Sequence, residues 1–93
     1  MVKIENKLED LLFKSVSARL SHTLLRLVEK FGLPDPLGTR IDLKLTHQDL
    51  ASLIGATRET TSTALGRFER QGLIAKGHSR IVVKDTALLG QVK

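Results

Sequence analysis

The stretch THQDLASLIGATRETTSTALGRF, Thr46 to Phe68, decides how the chain folds. Thr46 suits a helix N-cap, Asp49 three places on supports the free amide donors, and Gly55 is the kind of residue that ends a helix. Between them Leu50, Ala51 and Ile54 supply the apolar and small positions of a helix of little more than two turns. Thr57 repeats the capping role, and Thr61, Ala64, Leu65 and Phe68 follow at spacings of three and four, the mark of one buried helix face. Two short helices joined by a tight glycine turn read as a helix-turn-helix.

The second of these helices is built from poor helix formers. Thr57 to Thr63 holds four threonines and a serine, residues that lose rotamer freedom in a helix or compete with its backbone for hydrogen bonds. Its charges, Arg58 and Glu59, are adjacent and so do not form a helix-stabilising pair. With Thr61 and Leu65 as the inward line, steps of 100° place Glu59, Thr63, Gly66 and Arg70 roughly opposite, flanked by Arg58 and Ser62. Side chains that must reach another molecule account for this composition better than helix stability does.

Outward from this centre, QGLIAKGHSRIVVKD (Gln71 to Asp85) reads as a hairpin. Its strands carry Leu73, Ile74 and Ala75, then Ile81, Val82 and Val83, and its turn falls at Lys76 to Ser79. A hairpin directly after the second helix makes the helix-turn-helix a winged one. A last short helix is expected at Thr86 to Gln91, entered through Asp85. Upstream, TRIDLKL alternates Ile41, Leu43 and Leu45 with charged residues, as a half-buried strand does, and LPDPLGT holds both prolines and reads as a linker or turn. SVSARLSHTLLRLVEKFG has Ser15 or Ser17 as N-cap and Val16, Leu20, Leu24, Leu27, Val28 and Phe31 as its apolar stripe, closed by Gly32 at C′ and Pro34. MVKIENKLEDLLFK places Ile4, Leu8, Leu11 and Leu12 on one helix face, too short a seam for a coiled coil by itself.

Composition sets the bounds. Ninety-three residues, 41% of them hydrophobic, suit one small domain. Phe13, Phe31 and Phe68 are the only aromatics, which disfavours a stacking platform for single strands. The absence of cysteine excludes disulfides and thiolate metal sites. Of the net charge of +5, the half from Pro36 onward carries nine bases against five acids, while Met1 to Asp35 carries six against five. This bias suits a polyanionic partner for the second half.

LTHQDLASLIGATRETTSTALGRFERQGLIAKGHSRIVVKD, and above all its T-x-x-x-L-A-x-x-I-G-x-[ST]-R-E-T core, resembles the DNA-binding domain of the Crp/Fnr family of bacterial transcription regulators. LEDLLFKSVSARLSHTLLRLVEKFG resembles the segment that leads into that domain. The resemblance runs from about Leu8 to Leu89 and implies a mainly α fold with a small β component: a winged helix-turn-helix over residues 15–93, preceded at 1–14 by the end of a dimerisation helix. It implies a recognition helix of about Arg58 to Gln71 in the major groove. The partners it implies are double-stranded DNA with a palindromic operator, a second copy of the chain in the full-length protein, and RNA polymerase, in a bacterial cytoplasm and without a membrane. No cofactor is expected in this chain; an effector would bind the N-terminal domain that such regulators carry and this sequence lacks. The chain thus reads as the C-terminal part of a longer protein or as a freestanding relative.

The resemblance assigns base reading to Arg58 and Glu59, and the chemistry agrees: a guanidinium donates a fork to guanine O6 and N7, and a carboxylate accepts from cytosine N4. The competing roles are a phosphate clamp for Arg58 and a helix-dipole complement for Glu59. Thr63 departs from the family, many of whose members place a base-reading arginine there. Threonine offers instead a methyl to thymine or a hydroxyl to a base or phosphate. For the DNA backbone the candidates are His47, Thr57, Thr60, Ser62 and Arg67, with Lys76, His78 and Arg80 on the wing; each is also a plausible cap or solvated side chain. Catalysis is not expected: the chain has no nucleophile elbow, zinc-protease motif or phosphate loop. The rival from another class is a winged helix that docks proteins and binds no DNA.

Overall fold

The computed structural model describes residues 2–77 and 80–92, with side chains from residue 15 onward. The apolar stripe expected of Ile4, Leu8, Leu11 and Leu12 rests on side chains outside those described, and the expectations placed on His78 and Ser79 lie outside the described residues.

One helix, α1, runs without a break through Val2–Phe31, so neither Ser15 nor Ser17 is the N-cap of a second helix. No glycine or proline stands between residues 2 and 31 to stop it. The Ser15 hydroxyl instead accepts a hydrogen bond from Arg19 one turn along, and Ser17 lies on the buried face beside Val16, Leu20, Ser21 and Leu24. That face rests on the two later helices. The Arg19 Nε donates to the Ile54 carbonyl at 2.7 Å, tying α1 to the end of the next helix.

The proline-bearing segment expected as a linker is a hairpin. Strands β1 (Gly32–Asp35) and β2 (Gly38–Ile41) pair antiparallel, with Gly32 opposite Ile41 and Asp35 opposite Gly38. Pro34 is tolerated because β1 is an edge strand, and the turn is held by the Leu37 N–H donating to Asp35 Oδ1 at 3.0 Å. Gly32 serves this hairpin by close approach and not as a left-handed helix cap: a Cβ there would collide with the Val28 carbonyl and the Thr39 methyl. β2 ends at Ile41, earlier than the alternation in TRIDLKL suggests. The Leu43 N–H turns back to the Ile41 carbonyl at 2.8 Å, yet Ile41 is buried and Leu43 and Leu45 still pack on the core.

The helix-turn-helix matches its reading. Helix α2 (His47–Ile54) is capped by Thr46 in a full capping box with Asp49 and stops at Gly55, φ 69°. Helix α3 (Arg58–Arg70) is capped by Thr57, with Gln71 as its C-cap, and buries Thr61, Ala64, Leu65 and Phe68. The Thr61 hydroxyl donates to the Thr57 carbonyl at 2.8 Å, which makes a buried threonine acceptable in an apolar contact. Gly72, φ 75°, turns the chain into β3 (Ile74–Gly77), which pairs with β4 (Arg80–Val83) to form the wing. Lys76 and Gly77, expected in the turn, belong to β3. The short helix α4 (Thr86–Leu89) is capped by Asp85 and ends two residues before the expected Gln91.

The two hairpins share one sheet of order β1-β2-β4-β3, joined where Thr39 and Arg40 pair with Val83 and Val82. A single core gathers Leu20 and Leu24 of α1, Leu50 and Ile54 of α2, Leu65 and Phe68 of α3, Ile74, Ile81 and Val83 of the wing, and Leu89. The wing is thereby built into the domain and does not hang from it.

Two glycines should respond to alanine in opposite directions. Gly32→Ala forces backbone apart and is expected to destabilise by about 1–3 kcal/mol, the usual range for overpacking. At Gly66, within α3, a new Cβ meets only the end of Arg70 at 3.6 Å, so Gly66→Ala should stabilise by up to about 1 kcal/mol from helix propensity. Urea unfolding of both variants checks the pair; equal signs would refute the contrast.

Candidate nucleic-acid interface

The buried line of Thr61, Ala64, Leu65 and Phe68 points one side of α3 inward, so the other side faces solvent over its whole length. Arg58, Glu59 and Thr63 are exposed there, at and just beyond the helix start. Among the described residues no hydrogen bond or ion pair engages the Arg58 guanidinium or the Glu59 carboxylate. Both lie close to the free amides of the first turn, where the helix dipole is positive.

The hydroxyls around this face are already committed in part. Thr57 Oγ1 accepts from the Thr60 N–H at 3.1 Å and donates to Thr60 Oγ1 at 2.8 Å, so Thr57 works as a cap while Thr60 keeps its own proton. The Thr63 hydroxyl donates back to the Glu59 carbonyl at 3.1 Å. Ser62 Oγ is 2.6 Å from His47 Nδ1, which joins the start of α2 to the flank of α3. That bond leaves His47 Nε2 without a hydrogen-bond partner among the described residues.

The wing supplies the third side. Between the start of α2, the flank of α3 and the wing lies a pocket of about 210 Å³, whose apolar lining includes Leu45, Leu65 and Ile81 and whose polar lining is His47, Lys76 and Arg80. Three of the expected backbone contacts are therefore neighbours in space although they come from three elements. Each wing cation is met by a carboxylate: Lys76 Nζ lies 3.8 Å from Glu69 of α3, and Arg80 Nε 3.8 Å from Asp42, just after β2. The first pair is solvent-exposed and the second half-exposed, and at 3.8 Å both are weak in energy, so they orient the cations without locking them. Arg67 is exposed on α3.

Sequence reasoning missed Glu69 and Asp42 as partners of the wing. Glu69 lies seven residues before Lys76, and Asp42 follows the first hairpin while Arg80 belongs to the second, so no local spacing announces either pair. The His47–Ser62 bond escaped notice for the same reason. Burial, the approach of Lys76 and the approach of Arg58 all lower the pKa of His47, opposed by Glu69. The Thr46 N–H, donating to the Asp49 carboxylate at 2.9 Å, holds that group below the usual carboxylate range. Among the described residues no cluster of histidine and carboxylate groups fit to hold a metal ion occurs, and no helix is long and apolar enough to cross a membrane.

A family model described as the Crp-like helix-turn-helix domain matches residues 18–92. The chain is 40% identical over 91 residues to the global nitrogen regulator of Synechococcus elongatus, covering 98% of this chain and 41% of that protein. It is 33% identical to the CRP-like cAMP-activated global transcriptional regulator of Mycobacterium tuberculosis, over 96% of this chain and 40% of the relative. The crystal structure of Thermus thermophilus catabolite activator protein superposes with a TM-score of 0.80 at 28% identity, over 97% of this chain and 39% of that one. The chain thus spans about two fifths of the length of the relatives it matches.

Because the fold depresses the His47 pKa, the folded state resists a proton that the unfolded chain accepts near the ordinary histidine value of about 6.5. His47 therefore adds stability above that pH which is lost as the pH falls through it. Urea unfolding at about pH 8 and about pH 5 should show wild type losing more stability on acidification than His47→Gln. Identical losses would mean that His47 titrates as it does in the unfolded chain.

Proposed function

Since this chain belongs to the Crp-like helix-turn-helix family, whose regulators act on transcription through DNA, we propose that it binds double-stranded DNA with sequence preference, placing α3 in the major groove. The observation that carries the reading is the pairing of two unengaged charges, Arg58 and Glu59, at the exposed start of a helix whose opposite side is anchored in the core. Adjacent charges form no stabilising pair within the helix, whereas base edges engage both: Arg58 supplies the guanine fork and Glu59 the acceptor for cytosine. A carboxylate facing polyphosphate is tolerated where it finds such a donor.

Around this centre the cations fit the strands of the duplex. His47 Nε2, the Thr60 hydroxyl, the amides of the first turn of α3, Arg67, and Lys76 and Arg80 on the wing suit phosphate oxygens. Ser62 acts through His47, and Thr57 through its cap. On DNA, Lys76 and Arg80 exchange Glu69 and Asp42 for phosphates, a small cost because the exposed pairs are worth little.

Residues 1–14 belong in this reading to the end of a dimerisation helix continuous with α1, and residues 15–93 to the DNA-binding domain. Two copies in a full-length protein present their α3 helices about 34 to 36 Å apart and read a palindrome. Effector binding falls to a further domain, and RNA polymerase is the partner through which such binding affects transcription. The protein acts in the cytoplasm by binding and not by catalysis.

Selection of duplexes from a random pool, followed by affinity measured across a salt series, tests the proposal. Affinity should fall by roughly 0.9 log unit per log unit of salt for each phosphate contact; a flat response removes it and favours a protein-docking role. Arg58→Ala should lose about 1–3 kcal/mol on the selected site and relax one base pair, whereas Lys76→Ala should weaken all sequences alike. Uniform loss in both variants would deny Arg58 its base.

A further inference from the structure

Thr63 stands one turn beyond Glu59 on the exposed side of α3, about 6 Å along the axis. Its hydroxyl has a single proton, and that proton goes to the Glu59 carbonyl at 3.1 Å. Guanine O6 and N7, adenine N7 and thymine O4 all require a donor, and the Thr63 hydroxyl donates inward. Its oxygen keeps acceptor capacity for adenine N6 or cytosine N4, and toward thymine, which presents an acceptor and a methyl, the branch left to make contact is the Cγ2 methyl.

A methyl on so short a side chain reaches a base only where the helix lies close to the floor of the groove. Gly66, three residues on and on the same outward side, allows that approach. No packing within the domain asks for a glycine at this position: a Cβ there would meet nothing nearer than the tip of Arg70 at 3.6 Å, and the helix is weakened by its absence. A glycine that the domain does not need, beside a side chain too short to span a gap, marks a backbone that another molecule approaches closely.

We propose that Thr63 reads thymine through its methyl group, in apolar contact with the thymine C5-methyl, at a step where Gly66 brings the α3 backbone down to the base edges. The proposal rests on the DNA-binding reading and adds to it the class of base and the atoms that meet. It divides the labour along one helix face: Arg58 and Glu59 read by hydrogen bonds at the helix start, and Thr63 reads by shape one turn later. Discrimination at that position is accordingly modest, about fourfold, the effect of burying one methyl group.

The test uses the full chain and its selected duplex, with each thymine replaced in turn by deoxyuridine, which deletes only the base methyl. Wild type should lose about fourfold in affinity at one position per half-site. Thr63→Val, which keeps the methyl and removes the hydroxyl, should retain that loss, whereas Thr63→Ser, which does the reverse, should bind thymine and deoxyuridine alike. The opposite result, with sensitivity kept by Thr63→Ser and lost by Thr63→Val, would assign reading to the hydroxyl and overturn the proposal. So would a wild type that selects a site yet shows no deoxyuridine effect, or a Gly66→Ala variant of unchanged affinity, since the close approach would then be absent. Failure of wild type to select any duplex would instead bring down the DNA-binding reading, and this proposal with it. Thermal unfolding of each variant confirms that these solvent-facing changes leave the fold intact.

Discussion

The burial of Thr61, Ala64, Leu65 and Phe68 in one line along α3 constrains everything else in the structure. Leu65 and Phe68 enter the same core as Leu20 and Leu24 of α1, Leu50 and Ile54 of α2, and Ile74 and Ile81 of the wing. A helix held along one line can neither roll nor slide without opening that core, and apolar burial of this kind is worth about 1.5–3 kcal/mol per large side chain. Its opposite side is consequently rigid as well as exposed. A poor helix former survives there because tertiary packing, and not propensity, supplies the stability of the helix.

The same economy governs the helix start. Thr57 caps α3 by accepting from Thr60, and Thr46 caps α2 through its reciprocal bonds with Asp49. Gly55, in the left-handed region, sets the turn between them. With the caps satisfied from within, Arg58 and Glu59 are not needed as caps, and among the described residues no hydrogen bond or ion pair engages their charged groups, although Glu59 also sits in the positive field of the helix start. The neighbouring hydroxyls are less free, because Thr61 and Thr63 each bond back to the preceding turn.

Charge is distributed with similar restraint. Lys76 and Arg80 flank the same pocket as His47 but stand against Glu69 and Asp42. Burial first, and then the nearby charges of Lys76 and Arg58, lower the pKa of His47 in this corner, with Glu69 opposing them. The paired carboxylates reduce the self-repulsion of the cluster.

The helix-turn-helix, its caps and its buried line were legible in the residues themselves, because a capping box, a left-handed glycine and a three-and-four spacing are all local: each acts within a few positions of the chain. The exposure of Arg58 and Glu59 at the start of α3 was legible by the same token, since the three-and-four spacing of the buried line leaves them on the other side. The continuity of α1 through Ser15 and Ser17 was not, since a serine that caps and a serine buried mid-helix look alike until a neighbouring element covers one face. The β1–β2 hairpin was hidden because its glycines and prolines signal a turn without saying that its arms pair, and pairing depends on β4, more than forty residues further on. The contacts between His47 and Ser62, Lys76 and Glu69, and Arg80 and Asp42 belong to the tertiary structure alone. They join elements that only the shared core brings together, and no spacing along the chain encodes a distance across it.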